Sequence, residues 1–108
     1  MNNLCLNIDV NLDKDIIESI IKISKRYDNI EKVILFGSRA RKENSPKSDI
    51  DLAIYLNKNN TNIFDFIYDI ENECPTLLEF DFSNMNNLRD EIFINEVKKD
   101  GVTIYEKY

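Results

Sequence analysis

Histidine and tryptophan are absent from the 108 residues, and glycine, proline and cysteine occur only twice each. The lack of histidine excludes a Ser-His-Asp triad, a Cys-His dyad and any zinc site with a histidine ligand. Cys5 and Cys74 are too far apart in sequence to indicate a metal-binding pair, and so few cysteines are typical of reduced thiols. No apolar run approaches the ~20 residues of a membrane span. Because no secretory leader is evident either, we expect a cytoplasmic protein without a membrane partner.

The residues that are present favour one folded domain of acidic character. Hydrophobic residues make up 43% of the chain, a share too high for a disordered protein. We expect a single domain over 1–108, with a core over about 12–106. Fourteen Lys and Arg stand against 20 Asp and Glu, so the formal net charge is −6. This charge argues against long nucleic acid as a partner, because phosphates would be repelled.

Apolar periodicity predicts the order helix, strand, strand, helix, strand, helix, strand along the chain. A stripe of isoleucines predicts a first helix over about 12–27, and the run Val33–Phe36 predicts a buried strand. The later elements, in order, are a strand in SDIDLAIYL, a helix at 61–73 capped by Thr61 or Asn62, a strand in LLEFDF, a helix capped by Asn86 or Asn87 that Gly101 closes in a left-handed conformation, and a strand in VTIY. This order predicts an α/β (α+β) fold with a small mixed β-sheet and packed helices.

Gly37 and Ser38 directly follow the first predicted strand. Glycine permits a tight turn and the close approach of a ligand. The serine hydroxyl and nearby backbone N–H groups can hold phosphate if a helical turn begins there. A plain turn is the alternative at this position.

Asp49 and Asp51 flank an isoleucine at the start of the second predicted strand. Residues two apart on a strand point to the same face, about 6–7 Å apart. Two carboxylates at this spacing repel each other, and a shared cation would remove that repulsion. The alternative is that Asp49 begins the strand after a turn while Asp51 faces water.

The two features together, in GSRARKENSPKSDID, are far more specific than either alone. With GSRAR at 37–41 and SDIDL at 48–52, the chain resembles the minimal nucleotidyltransferase family of the polymerase-beta-like superfamily. Many members of that family have glycine where this chain has Lys42, a difference that bears on loop shape more than on catalysis. The resemblance implies a nucleotidyltransferase fold.

Family members also carry a third aspartate between apolar residues on a later strand. Asp81, between Phe80 and Phe82, fits that description, and Glu79 on the same face is the competing candidate. The segment KKDGVTIY also resembles the family's last helix and final strand, so that the likeness covers about residues 12–106.

The resemblance implies a Mg²⁺-dependent nucleotidyltransferase with ATP as substrate. Asp49, Asp51 and Asp81 would be the catalytic and metal-binding residues, with Asp81 serving either as a metal ligand or as the base. The nucleotide-binding residues would be Gly37, Ser38, Arg39 and Arg41, although solvated arginines are the alternative for the last two. The acceptor would be a hydroxyl, which attacks the α-phosphorus and releases pyrophosphate.

Family members of this size commonly pair with a helical HEPN ribonuclease toxin and act as its antitoxin. The resemblance therefore implies transfer of AMP to a hydroxyl of such a partner, with a tyrosine as the expected acceptor. The alternative is a binding module that neutralises its partner by complex formation alone. Neither the nucleobase nor the oligomeric state follows from the sequence.

Overall fold

Helices and strands alternate along residues 8–108, which are the residues that the computed structural model describes. Cys5 lies outside them. The elements are α1 (Lys14–Ser24), β1 (Ile30–Phe36), α2 (Gly37–Arg41), β2 (Ile50–Leu56), α3 (Phe64–Glu73), β3 (Phe80–Asn84), α4 (Glu91–Asp100) and β4 (Val102–Glu106). Their order agrees with the prediction. The segment after β1 opens with the short helix α2, so a helical turn does begin at Gly37.

The four strands form one mixed sheet in the order β3-β2-β1-β4. β1 is antiparallel to both β2 and β4, whereas β2 and β3 are parallel. A parallel pair needs a crossover connection, and α3 supplies it here. The predicted mixed sheet with packed helices is therefore confirmed. Because β2 and β3 run in the same direction, the first residues of both strands lie at one end of the sheet.

The two faces of the sheet are covered by different helices. Leu52 and Ile54 of β2 join the larger core cluster with the buried isoleucines of α1 and with α3. Ala53 belongs to a smaller cluster on the other face, together with Val97 of α4. Since side chains alternate along a strand, Asp51 lies on the α4 face with Ala53. No helix within residues 8–108 has the length and apolar character needed to span a membrane.

α1 is shorter than the predicted helix because the chain turns after Ser24 toward α3. The Arg26 guanidinium donates two hydrogen bonds to the Glu73 carboxylate, at 2.8 and 2.7 Å. The Tyr27 hydroxyl donates to Asp69, and its ring contacts Phe66 edge-on with centroids 5.9 Å apart. These contacts hold α1 and α3 together on their shared face of the sheet.

The N-terminal cap of α4 is Asp90 and not Asn86 or Asn87, so that prediction is wrong. The Asp90 carboxylate accepts hydrogen bonds from the backbone N–H groups of Ile92 and Phe93, at 3.0 and 3.2 Å. The Asn86 side chain instead exchanges hydrogen bonds with the main chain of β2, at 2.9 and 2.8 Å. The polar pattern alone could not separate a cap from a contact between distant segments.

Gly101 is not left-handed, which corrects a second prediction about α4. Its φ is −71° because the chain passes directly from α4 into the extended strand β4. Space is the reason for glycine here, since a Cβ would lie 2.3 Å from the Val97 carbonyl oxygen and 2.5 Å from Ile34 Cγ2.

Candidate active site

Asp51 and Asp81 lie side by side on the α4 face of the sheet. They are register partners in the parallel pair of β2 and β3. Neighbouring strands are about 4.8 Å apart, so the two carboxylates leave the sheet next to each other. Glu79 precedes β3, and its main-chain oxygen accepts a hydrogen bond of 2.9 Å from Ile50 N. The register therefore places Asp81, and not Glu79, beside Asp51.

Gly37 gives Asp51 the space it occupies. Phe36, the last residue of β1, is the register partner of Asp51, and Gly37 follows it with φ +74°. A Cβ on Gly37 would lie 2.3 Å from Asp51 Oδ2, so the Asp51 carboxylate would have to move to make room for any other residue. Two reasons therefore favour glycine at position 37. The left-handed conformation disfavours other residues, and the Asp51 carboxylate lies where a Cβ would be.

Asp49 lies immediately before β2, where its side chain is exposed. The sequence predicted a strand that already includes this residue. The observed strand begins one residue later, so Asp49 is the last residue of the loop that connects α2 to β2. Its position depends on that loop, whereas the sheet holds Asp51 and Asp81.

The three carboxylates interact electrostatically. Burial raises the pKa of Asp51 above its usual value, and the negative charges of Asp81 and Asp49 raise it further. Arg41 and Arg39 act in the opposite direction. Deprotonated Asp51 is therefore a carboxylate among like charges, and a bound cation would relieve this repulsion.

Arg39 has a place that the sequence did not predict. It is only 6% exposed, and its guanidinium donates hydrogen bonds to the main-chain oxygens of Ser48, Pro46 and Asn11. The sequence placed it with the nucleotide-binding residues. Its hydrogen bonds instead join the loop before Asp49 to the segment before α1. The carbonyl groups that accept these hydrogen bonds come from two separate segments of the chain, so no short sequence motif could predict this role.

Ser38 and Arg41 remain open to a ligand. Ser38 is half-buried, and within residues 8–108 its hydroxyl makes no hydrogen bond. The Arg41 side chain is 41% exposed; its Nε donates to Glu43 Oε1 at 3.1 Å, and its Nη1 lies 4.0 Å from Asp100 Oδ2. An exposed arginine in partial ion pairs can exchange those partners for an anion at small cost.

The sequence pattern of the family described as "Polymerase beta, Nucleotidyltransferase" matches residues 18–108. This stretch includes α2, both acidic strands and the loop between Arg41 and Asp49. The chain belongs to the polymerase beta nucleotidyltransferase family. The resemblance found in the motifs at 37–41 and 48–52 is thereby confirmed at the level of the family.

Solved structures show the same nucleotidyltransferase fold. A toxin-antitoxin crystallised with AMP-PNP superposes with a TM-score of 0.67 at 18% identity, over 84% of this chain and 73% of that one. A mutant of the toxin-antitoxin MntA-HpeT gives 0.63 at 15% identity, with the same coverage. A nucleotidyltransferase from Sulfolobus solfataricus, described as putative, gives 0.57 at 20% identity, over 99% of this chain and 91% of that one. No curated protein matches the chain.

Nucleotidyltransferases of this family generally use a nucleoside triphosphate and a divalent metal ion, and the acidic residues here suit such an ion. Carboxylate oxygens are the ligands that Mg²⁺ prefers. Asp49, Asp51 and Asp81 are the residues that could supply them, and the Asp51 carboxylate occupies the space left by Gly37. Within residues 8–108, no three acidic, cysteine or histidine side chains already have the arrangement of a metal site.

Proposed function

We propose that this nucleotidyltransferase transfers AMP from ATP to a hydroxyl of a partner protein, with Mg²⁺ as the cofactor. The observation that carries the proposal is the arrangement of Asp51 against Gly37, with Asp81 beside it in register and Asp49 two residues earlier. A small domain with a net charge of −6 offers little surface for holding a large substrate. We therefore infer that a folded partner presents the acceptor, and we place the pair in the cytoplasm, where ATP is available.

Each site residue has a distinct proposed role. Asp49 and Asp51 would hold the magnesium ion, which when bound polarises the phosphoryl oxygens as a Lewis acid. Ser38 would donate its hydroxyl to the terminal phosphates. Arg41 would leave its exposed ion pairs to neutralise phosphate charge.

The transfer itself needs no covalent intermediate with the protein. The oxygen of the acceptor hydroxyl attacks the α-phosphorus of ATP in line, and the bond to the bridging oxygen of pyrophosphate breaks. The hydroxyl proton leaves the acceptor as the new bond forms. Asp81 lies beside Asp51 and would either accept this proton or act as a further metal ligand.

We further propose that the partner is a HEPN-type ribonuclease toxin and that this chain is its antitoxin. Two of the structures with the same fold are described as toxin-antitoxins, one of them with AMP-PNP. These descriptions support the pairing and the choice of an adenine nucleotide. The HEPN identity of the toxin and the tyrosine acceptor rest on the sequence resemblance.

The decisive experiment combines the purified chain, Mg²⁺, ATP and the toxin encoded by the adjacent gene. We expect the toxin to gain the mass of one AMP group on a tyrosine and to lose its ribonuclease activity. Asp49→Asn combined with Asp51→Asn should abolish the transfer, and Asp81→Asn should slow it about 100-fold or more. Glu79→Gln is the matched control, because it removes a neighbouring carboxylate that is not in register with Asp51.

One result would replace this proposal with the binding alternative. If the toxin is silenced without added mass, and the double aspartate variant silences it equally well, complex formation alone explains neutralisation. Intact-protein mass spectrometry and a ribonuclease assay on the same mixture distinguish the two outcomes.

A further inference from the structure

The buried guanidinium of Arg39 connects three segments of the chain. Its Nε and one terminal nitrogen both donate to the Ser48 carbonyl oxygen, at 3.1 and 2.9 Å. The same terminal nitrogen reaches the Pro46 oxygen at 3.2 Å, and the other donates to the Asn11 oxygen at 2.9 Å. All three guanidinium nitrogens are thus engaged by the main chain.

The loop that precedes Asp49 has few other connections to the protein. Within the described residues, every hydrogen bond that joins 44–48 to the rest of the chain is donated by Arg39. The remaining hydrogen bonds of this segment are internal, such as Ser45 N to Ser48 Oγ at 2.9 Å. A cavity of about 300 Å³ lies between this loop and the start of α1, lined by Pro46 and Leu12 among others. Residues 45–47 are exposed, so apolar packing does little to hold the loop in place.

We propose that Arg39 is a positioning residue that sets the place of Asp49, a role that rests on the function proposed above. The Ser48 carbonyl belongs to the same planar peptide unit as the Asp49 nitrogen. Two hydrogen bonds to that carbonyl fix the plane of the Ser48–Asp49 peptide and hence the position of the Asp49 Cα, from which the carboxylate side chain extends. The sheet holds Asp51 and Asp81, so the Arg39 hydrogen bonds set the third carboxylate relative to the other two.

This role differs from phosphate binding in what it requires of the side chain. A phosphate contact would need a positive charge near the nucleotide, and lysine could supply that charge. Binding the Ser48 and Asn11 carbonyl oxygens at the same time needs several N–H donors in the fixed planar arrangement of a guanidinium, which lysine lacks. Moving the guanidinium to a phosphate would also break all four of these hydrogen bonds at once.

The first test compares Arg39→Lys with Arg26→Lys in the full chain. The dissociation constant of Mn²⁺ in the presence of AMP-PNP is measured by electron paramagnetic resonance, and the melting temperature is measured alongside. We expect Arg39→Lys to weaken Mn²⁺ binding about 10-fold or more, as for other residues that orient metal ligands. Arg26→Lys changes an exposed arginine that pairs with Glu73 on the opposite face of the sheet from Asp51, and its Mn²⁺ affinity should remain within about 2-fold of the wild type.

A double-mutant cycle with Asp49→Asn identifies the group through which Arg39 acts. If Arg39 works by placing the Asp49 carboxylate, Arg39→Lys should cause little further loss of Mn²⁺ affinity in the Asp49→Asn background. An equal loss in both backgrounds would overturn the proposal, because Arg39 would then act on the nucleotide or on the whole fold. A lowered melting temperature with unchanged Mn²⁺ affinity would overturn it as well, by showing a purely structural role.

A second variant decides the matter if Arg39→Lys does not fold. Ser48→Ala removes the internal hydrogen bond to Ser45 and loosens the same loop, so a smaller loss of Mn²⁺ affinity is expected. Unchanged affinity in Ser48→Ala would then count against the proposal. Failure of the wild-type chain to bind Mn²⁺ with AMP-PNP is a different outcome, because it would overturn the proposed function and, with it, this role of Arg39.

Discussion

Gly37 is the residue whose replacement should damage the site most directly. In Gly37→Ala the new methyl group would meet Asp51 Oδ2, and the left-handed conformation would add about 1–2 kcal/mol of strain. We expect a lower free energy of unfolding together with the loss of measurable Mg²⁺·ATP binding, because the Asp51 carboxylate must move away. Urea denaturation and isothermal titration calorimetry measure the two effects.

Gly101→Ala is the matched control for that experiment. Its Cβ would also collide with the protein, but at the Val97 carbonyl oxygen and at Ile34 Cγ2 and not at a carboxylate. We expect this variant to lose stability while it retains nucleotide affinity. Wild-type affinity in Gly37→Ala would show that the contact between Gly37 and Asp51 is not needed for binding.

Asp51 should make the metal-free protein less stable at neutral pH than a neutral residue would. Its pKa is raised in the folded state by burial and by Asp81 and Asp49, so the folded state binds more protons than the unfolded state between the ordinary pKa and the raised one. Stability therefore falls as the pH rises through that interval, and the cost persists above it. We expect Asp51→Asn to raise the melting temperature at pH 7 by a few degrees in EDTA.

The pH dependence of that gain is the critical measurement. Below the ordinary aspartate pKa of about 3.9 both proteins carry a neutral side chain, and the difference should vanish. Glu79→Gln controls for the loss of one negative charge at the same end of the sheet. An equal gain in Glu79→Gln would attribute the effect to net charge and not to the position of Asp51.

At the scale of elements, the contact between α1 and α3 depends on a partly buried hydrogen bond. The hydrogen bond from Tyr27 to Asp69, with a contribution from burial, raises the pKa of the Tyr27 phenol to about 12. We expect Tyr27→Phe to lower the free energy of unfolding by about 1–2 kcal/mol, as for other hydrogen bonds to charged groups. Urea denaturation at pH 7 measures this loss.

The sign of the Tyr27 shift predicts when that contribution disappears. The folded pKa lies above the ordinary tyrosine value of about 10, so the stabilisation is complete below pH 10 and is lost as the pH rises toward 12. Tyr68→Phe is the control, because Tyr68 is 67% exposed on α3 and should change stability by less than about 0.5 kcal/mol. Equal losses in the two variants would show that the contact with Asp69 contributes nothing specific.

For the whole molecule, the proposed site predicts that Mg²⁺·ATP stabilises the fold. A ligand that binds only the folded state contributes about 2.7 kcal/mol at 100 times its dissociation constant. For a domain of this size that amounts to a rise in melting temperature of about 10 °C or more. Asp49→Asn with Asp51→Asn should remove the part of the rise that depends on Mg²⁺, whereas Glu79→Gln should keep it. If the double variant shows the same Mg²⁺-dependent rise in melting temperature as the wild type, Mg²⁺·ATP does not bind at Asp49 and Asp51.

The sequence alone was sufficient for the order of elements, the apolar faces and the family. The alternation in β2 and the isoleucine stripe of α1 are local periodicities, and local periodicity decides which side chains can be buried together. The motifs at 37–41 and 48–52 likewise combine a glycine with two carboxylates over a short stretch. Their roles as phosphate and metal ligands stay predictions, although the structure places Asp49, Asp51 and Gly37 together.

Only the tertiary structure decided which distant groups meet. The parallel register of β2 and β3 placed Asp81 beside Asp51 and separated it from Glu79. Folding also directed Arg39 to backbone carbonyls such as that of Asn11 instead of leaving it in solvent, and packed Ile34 against Gly101 so closely that no Cβ fits there. The physical reason is the same in each case: these contacts join residues far apart in sequence, and their energies depend on distances that exist only once the sheet and its helices have assembled.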